Sequence, residues 1–136
     1  MKIDSVLLNQ LSAQAKSSPR LRMNYDLRNS PDDNSQRMLN AVEPGTQVPI
    51  HRHLKSSETI IILRGKFKEL LFDDSGSIIE CALLEEGGQC SAFQIPKNTW
   101  HSIEVLESGT VFCECKDGPY APDRDDEFFS DLNKAL

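Results

Sequence analysis

The chain has 136 residues, with 38% hydrophobic and 26% charged side chains, the amounts expected of one soluble globular domain. Fifteen basic residues against 21 acidic ones give a net charge of −6. That excludes an extended basic face for nucleic acid or an anionic membrane, while leaving room for a small anionic ligand held by a few arginines. The opening MKIDSVLLNQLSAQAK has too short an apolar run for a signal peptide, and no stretch approaches the ~18 apolar residues of a membrane span. The expected location is the cytoplasm. Cys81, Cys90, Cys113 and Cys115 are then expected as thiols.

In chain order, Ile3, Val6, Leu7, Leu11 and Ala15 fall at helical spacing, with Asp4 or Ser5 to cap the start and Ser18-Pro19 to stop it. A short amphipathic helix within residues 1–17 is predicted, laid over the domain or over a partner subunit. Pro31-Asp32-Asp33-Asn34 is a turn signal, and Gln36 to Glu43 reads as a strand ending at Pro44-Gly45. Short strands follow at Val48–His53, Thr59–Leu63, Lys66–Asp73, Ser77–Leu84, Cys90–Ile95, Trp100–Leu106 and Val111–Cys115. Asp74-Ser75-Gly76 and Gly87-Gly88 mark turns between them. Seven or eight strands at this spacing predict an all-β sandwich or barrel over residues 36–116. Residues 121–136 are acidic and then carry Phe128, Phe129 and Leu132, which predicts a docked tail or helix.

His51 and His53 are two apart, so on a strand both rings point to one face. Glu58 follows five residues later, and His101 opens a distant strand. Antiparallel strands can bring these four together, and three imidazoles with one carboxylate suit a divalent transition metal such as zinc, iron, nickel or manganese. Arg52 lies between the two histidines and must face away from them, and Trp100 must face away from His101.

The frame around these residues is specific. Residues 45–65 read GTQVPIHRHLKSSETIIILRG, which matches G-x5-H-x-H-x4-E-x6-G, the first motif of the cupin superfamily, at every position. Residues 88–101 read GQCSAFQIPKNTWH and resemble its second motif. There the Gly88 to Pro96 spacing is two residues longer, Asn98 replaces a glycine, and Val105 stands where an asparagine is usual. Asn is a mild replacement because it tolerates left-handed backbone. The flanks SPRLRMNYDLRNSPDDNSQRMLNAVEPGTQVPIHRH and CKDGPYAPDRDDEFF resemble the WbuC-type cupin metalloproteins over nearly the whole chain.

This resemblance implies a single cupin double-stranded β-helix (jelly-roll barrel) over residues 1–136 with short N-terminal and C-terminal helices. It implies metal ligands at His51, His53, Glu58 and His101. It also implies a setting among bacterial surface polysaccharide (O-antigen) functions, and carries over neither a substrate nor a reaction. A sugar or sugar-nucleotide is the substrate expected in that setting, and apolar faces at both termini would suit the homodimer common among cupins. A metal Lewis acid with a pocket base would suit isomerisation or epimerisation; an iron oxygenase and a non-catalytic metal- or sugar-binding module are the alternatives.

Arg20, Arg22 and Arg37 are candidate contacts to a carboxylate or phosphate. The segment Leu106-Glu107-Ser108-Gly109-Thr110 reads as a hairpin loop with Gly109 left-handed. A three-residue loop would pair Ile103 with Cys113 and His101 with Cys115, turning Cys115 towards the pocket. A two-residue loop would place Phe112 and Glu114 inside instead. The first register is preferred because it buries Val and Cys and leaves Glu114 wet.

Overall fold

The computed structural model describes residues 1–132. Helix α1 (Ser5–Ser17) starts at Asp4, whose side chain accepts from the Leu7 N–H at 3.2 Å, and ends where Ser18 turns extended ahead of Pro19. Its buried stripe is Leu8, Leu11, Ser12 and Ala15. Ile3 and Val6, expected in that stripe, are exposed.

The described residues form two five-stranded antiparallel sheets. In chain order the strands are β1 (Arg22–Asp26), β2 (Ser35–Val42), β3 (His51–His53), β4 (Glu58–Arg64) and β5 (Lys66–Phe72), followed by β6 (Ile78–Glu85), β7 (Ala92–Ile95), β8 (Trp100–Val105) and β9 (Thr110–Asp117). A short helix α2 (Pro122–Asp125), strand β10 (Asp126–Phe128) and helix α3 (Phe129–Leu132) complete the described chain. One sheet runs β1-β2-β9-β4-β7 and the other β10-β3-β8-β5-β6. Strands β1 and β10 have no counterpart in the sequence-based reading, which took the tail as a helix. The expected short C-terminal helix is present as α2 and α3, with strand β10 between them, and residues 133–136 lie outside the described residues.

Alternation along the strands builds two apolar layers. Ile60, Ile62, Phe67, Leu71, Leu84, Ile95, Val105 and Phe112 are buried in the main cluster, where β4 and β9 of one sheet meet β5 and β8 of the other. Leu39, Ala41 and Val111 point to the opposite face, where Leu8, Leu11 and Ala15 of α1 cover them. Consecutive residues of β9 therefore serve different layers: Val111 packs under the helix and Phe112 packs inside.

The expected β8–β9 hairpin is corrected by the pairing. β8 pairs with β5 and β3, and β9 pairs with β2 and β4, so residues 106–109 carry the chain from one sheet to the other. His101 lies opposite Leu71 and His51, and Cys115 lies opposite Arg37 and Thr59. The crossing is held by Glu43, whose buried carboxylate accepts from Ser108 Oγ and the Gly109 N–H, both at 2.6 Å. Gly109 is left-handed, as expected, at φ 80°. Gly65 (φ 89°) sits so close to the crossing that a Cβ there would stand 2.7 Å from the Thr110 Cα.

Candidate metal centre

β3 is three residues long and lies between β8 and β10. Its alternation turns His51 and His53 to the inner face. Arg52 goes to the outer face, where its guanidinium stacks 4.1 Å over the Trp100 ring and pairs with Glu127. The register sets His101 of β8 directly opposite His51. Glu58 opens β4 on the facing sheet, opposite Ile95 and Lys116. Three rings from one sheet thus meet a carboxylate from the other. Asn98, at the position usual for glycine, is left-handed (φ 62°) and donates its N–H to the His53 carbonyl at 2.7 Å.

Each ring is held by its Nδ1. That atom lies 2.7 Å from the Pro49 carbonyl in His51, 2.9 Å from the Thr99 carbonyl in His101 and 2.7 Å from the Asp126 carboxylate in His53. A carbonyl only accepts, so Nδ1 of His51 and His101 carries the proton and the neutral ring offers a bare Nε2 lone pair inward. Ring nitrogens of the three histidines lie within 4.8 Å of one another. Glu58 Oε1 lies 2.8 Å from His53 Nε2, and Oε2 lies 3.3 Å from His101 Nε2. The two Nε2 atoms and Oε1 are buried without a hydrogen bond of proper geometry. Lone pairs facing one another in a buried site are satisfied by a positive charge between them, a proton on His53 or a metal ion. The donor set of three imidazoles and a carboxylate, with Nδ1 anchors behind the rings, fits a divalent transition-metal ion.

The electrostatics differ from ring to ring. Burial, and then the neighbouring His101, push His51 down to about 4, so its ring stays neutral. Burial opposes charge on His53, but the adjacent carboxylates of Asp126 and Glu58 raise it to about 9. Burial likewise works against the Glu58 carboxylate, yet His101 and His53 hold it well below the usual range.

These residues line a cavity of about 320 Å³. Arg20 and Arg22 lie on its wall, and Arg22 donates to the Gln47 carbonyl at 2.8 Å. Arg37 does not reach it. Arg37 borders an adjoining recess of about 340 Å³, and its guanidinium is occupied by the Leu27 and Ser35 carbonyls and Asp33. The preferred placement of Cys115 is also corrected. Cys113 packs against the α1 layer, and Cys115, two residues on, shares that outer face. Glu114, between them, lines the cavity and accepts from Asn40 Nδ2 at 3.1 Å. Burial and the Glu58 charge push its carboxyl up to about 8.

Two cavity residues escaped the sequence reading altogether. Glu69 on β5 lies between Phe67 and Leu71 on the inward face, and a lone acid in that alternation was a visible signal. Asp126 had no such signal, because nothing local marks β10 as a strand. The group His53, Asp125 and Asp126 also clusters, but Asp125 is engaged by the Lys55 N–H and Ser56 Oγ, both at 2.7 Å.

The paired sheets and the inward histidines define a cupin fold. Staphylococcus aureus CapF, a capsular polysaccharide assembling protein, superposes with a TM-score of 0.68 at 21% identity, over 82% of this chain and 32% of that one. Oxalate decarboxylase from Bacillus subtilis gives 0.64 at 21% identity, over 85% of this chain and 29% of that one. KdgF from Halomonas sp. gives 0.58 at 20% identity, over 78% of this chain and 86% of that one. The chain therefore spans about a third of the length of the first two proteins. No curated protein matches the chain in sequence. The chain belongs to the family described as domain of unknown function DUF6016, whose model matches residues 3–84. Among the described residues no helix is long and apolar enough to cross a membrane.

Proposed function

We propose that residues 1–136 act as one metal-binding cupin, with His51, His53, Glu58 and His101 as ligands and a small, polar, sugar-like molecule as its substrate. The observation that carries this reading is the convergence of orphaned His53 Nε2, His101 Nε2 and Glu58 Oε1 on one buried point. Bound there, a divalent ion would supply Lewis acidity towards a carbonyl or hydroxyl oxygen. The chain's own residues would do the rest. Arg20 and Arg22 would bind an anionic group, and Glu114 on the cavity wall would hold or move a proton, which suits an isomerase or epimerase. The WbuC resemblance and the capsular role printed for CapF support a place in surface polysaccharide synthesis. Exposed Ile3, just ahead of α1, and Val6 on it support a homodimer. A non-catalytic metal- or sugar-binding module is the second reading, favoured because Glu114 is tied to Asn40.

The test is metal analysis of protein purified without chelator or nickel resin, beside His51→Ala and His101→Ala. One ion per chain in wild type and loss of it in both variants, with the far-UV spectrum unchanged, is the expected result. Equal metal content in all three proteins contradicts the ligand assignment. Turnover of a sugar-nucleotide by metal-loaded protein, against binding alone, separates enzyme from binding module.

A further inference from the structure

Glu69 is the cavity group with least reason to be there. It sits mid-strand on β5, 0% exposed, and neither carboxyl oxygen has a hydrogen-bond partner among the described residues. Phe67 and Leu71, two residues to either side on the same face, belong to the apolar core. Ala82 and Ile103 lie opposite Glu69 on the flanking strands. A leucine would fill that wall without burying an unsatisfied polar group, which is a heavy cost to any fold. The missing partner therefore lies outside the described residues. Glu69 lines the same cavity as the three histidines. Burial, and then the charges of Glu58 and Glu114, raise its carboxyl well above the usual range, so it stands ready as a donor. The cavity runs from the exposed Arg20 and half-buried Arg22 inward to this carboxyl, and about 320 Å³ holds one small molecule.

We propose that Glu69 is a substrate-contacting residue: its carboxyl hydrogen-bonds a hydroxyl oxygen of a bound polyhydroxylated acid, whose carboxylate faces Arg20 and Arg22. This deepens the sugar-like reading above and rests on it.

The probes are D-gluconate and hexanoate, an acid of equal chain length without hydroxyls. Both are titrated calorimetrically into metal-loaded and into chelated protein. Wild type is expected to bind gluconate at least tenfold tighter than hexanoate. Glu69→Leu should lose about tenfold of that preference, keep its metal content, and melt at or above the wild-type temperature. Glu69→Gln, which keeps a donor, should retain part of the preference and serves as the test should the leucine variant fail to fold. Wild type without the preference overturns the proposal. So do substituted proteins that keep it in full, including a Glu69→Leu that only melts lower, as a purely structural role would dictate. Wild type that carries no metal but shows the Glu69-dependent preference in chelator overturns the metal reading and leaves the contact standing.

Discussion

Nδ1 of His53 stands 2.7 Å from the carboxylate of Asp126, a residue 73 positions later in the chain. β10 brings it there by pairing Asp126 with His53 and Phe128 with His51. The carboxylate orients the ring and strengthens its inward lone pair. His53 in turn holds Asp126 below the ordinary carboxylate range, against the effect of burial. Asp126→Ala should lower metal affinity ten- to a hundredfold, read by competition with a chromophoric chelator, while the far-UV spectrum stays the same. Unchanged affinity would show that the strand is only a lid on the sheet edge.

Chelated protein should lose stability as pH rises from about 6.5 to 9. His53 is raised from the reference ~6.5 to about 9, so the folded state favours its protonated form. That contribution is full below pH ~6.5 and disappears as pH rises through about 9. Glu114, raised to about 8, and Glu69, raised well above its ordinary value, act in the same direction. His51, lowered to about 4, has the opposite sign, but its contribution is lost only as pH falls from ~6.5 through 4. Melting temperature measured in EDTA should fall over the upper interval. Added divalent metal should restore it most at the alkaline end, where protons no longer compete for the ligands. A flat or rising profile in EDTA contradicts this placement of charges.

Gly65→Ala should destabilise by roughly 3 kcal/mol or more, measured by urea unfolding. The added Cβ meets the Thr110 backbone, and the left-handed φ of 89° strains any L side chain. Gly87→Ala is the control: φ is 73° but no atom lies within 4 Å, so about 1–2 kcal/mol is expected. Equal losses would mean that the crossing at Thr110 yields.

The thiols should alkylate in a definite order in native protein. Cys81 is exposed on β6 and should react first. Cys113 should react last, because burial, and then Cys115, push its thiol up to about 11 and leave little thiolate. Cys115→Ser should leave metal content unchanged, since the residue faces away from the cavity. Mass spectrometry of timed samples reads the order, and early labelling of Cys113 would contradict its packing under α1.

By itself the sequence determined strands β2 to β9 and singled out the four residues proposed as ligands. Period-2 alternation and turn residues are local, so β2 to β9 were legible to within a few residues. The His51-x-His53 and Glu58 spacing is local too, and a strand converts it directly into a shared face. His101 was readable only through its motif. Pairing is not local. Whether Leu106–Gly109 closes a hairpin or crosses between sheets depends on Glu43 and Lys66 meeting the segment from elsewhere, and that decided whether Cys115 or Glu114 entered the cavity. Asp126 joined the site because a free edge at β3 accepted a three-residue strand, a contact that no propensity in Asp126–Phe128 announces. Glu69 was visible as a sequence position, but only the closing of the two sheets over it made it a carboxyl without a partner.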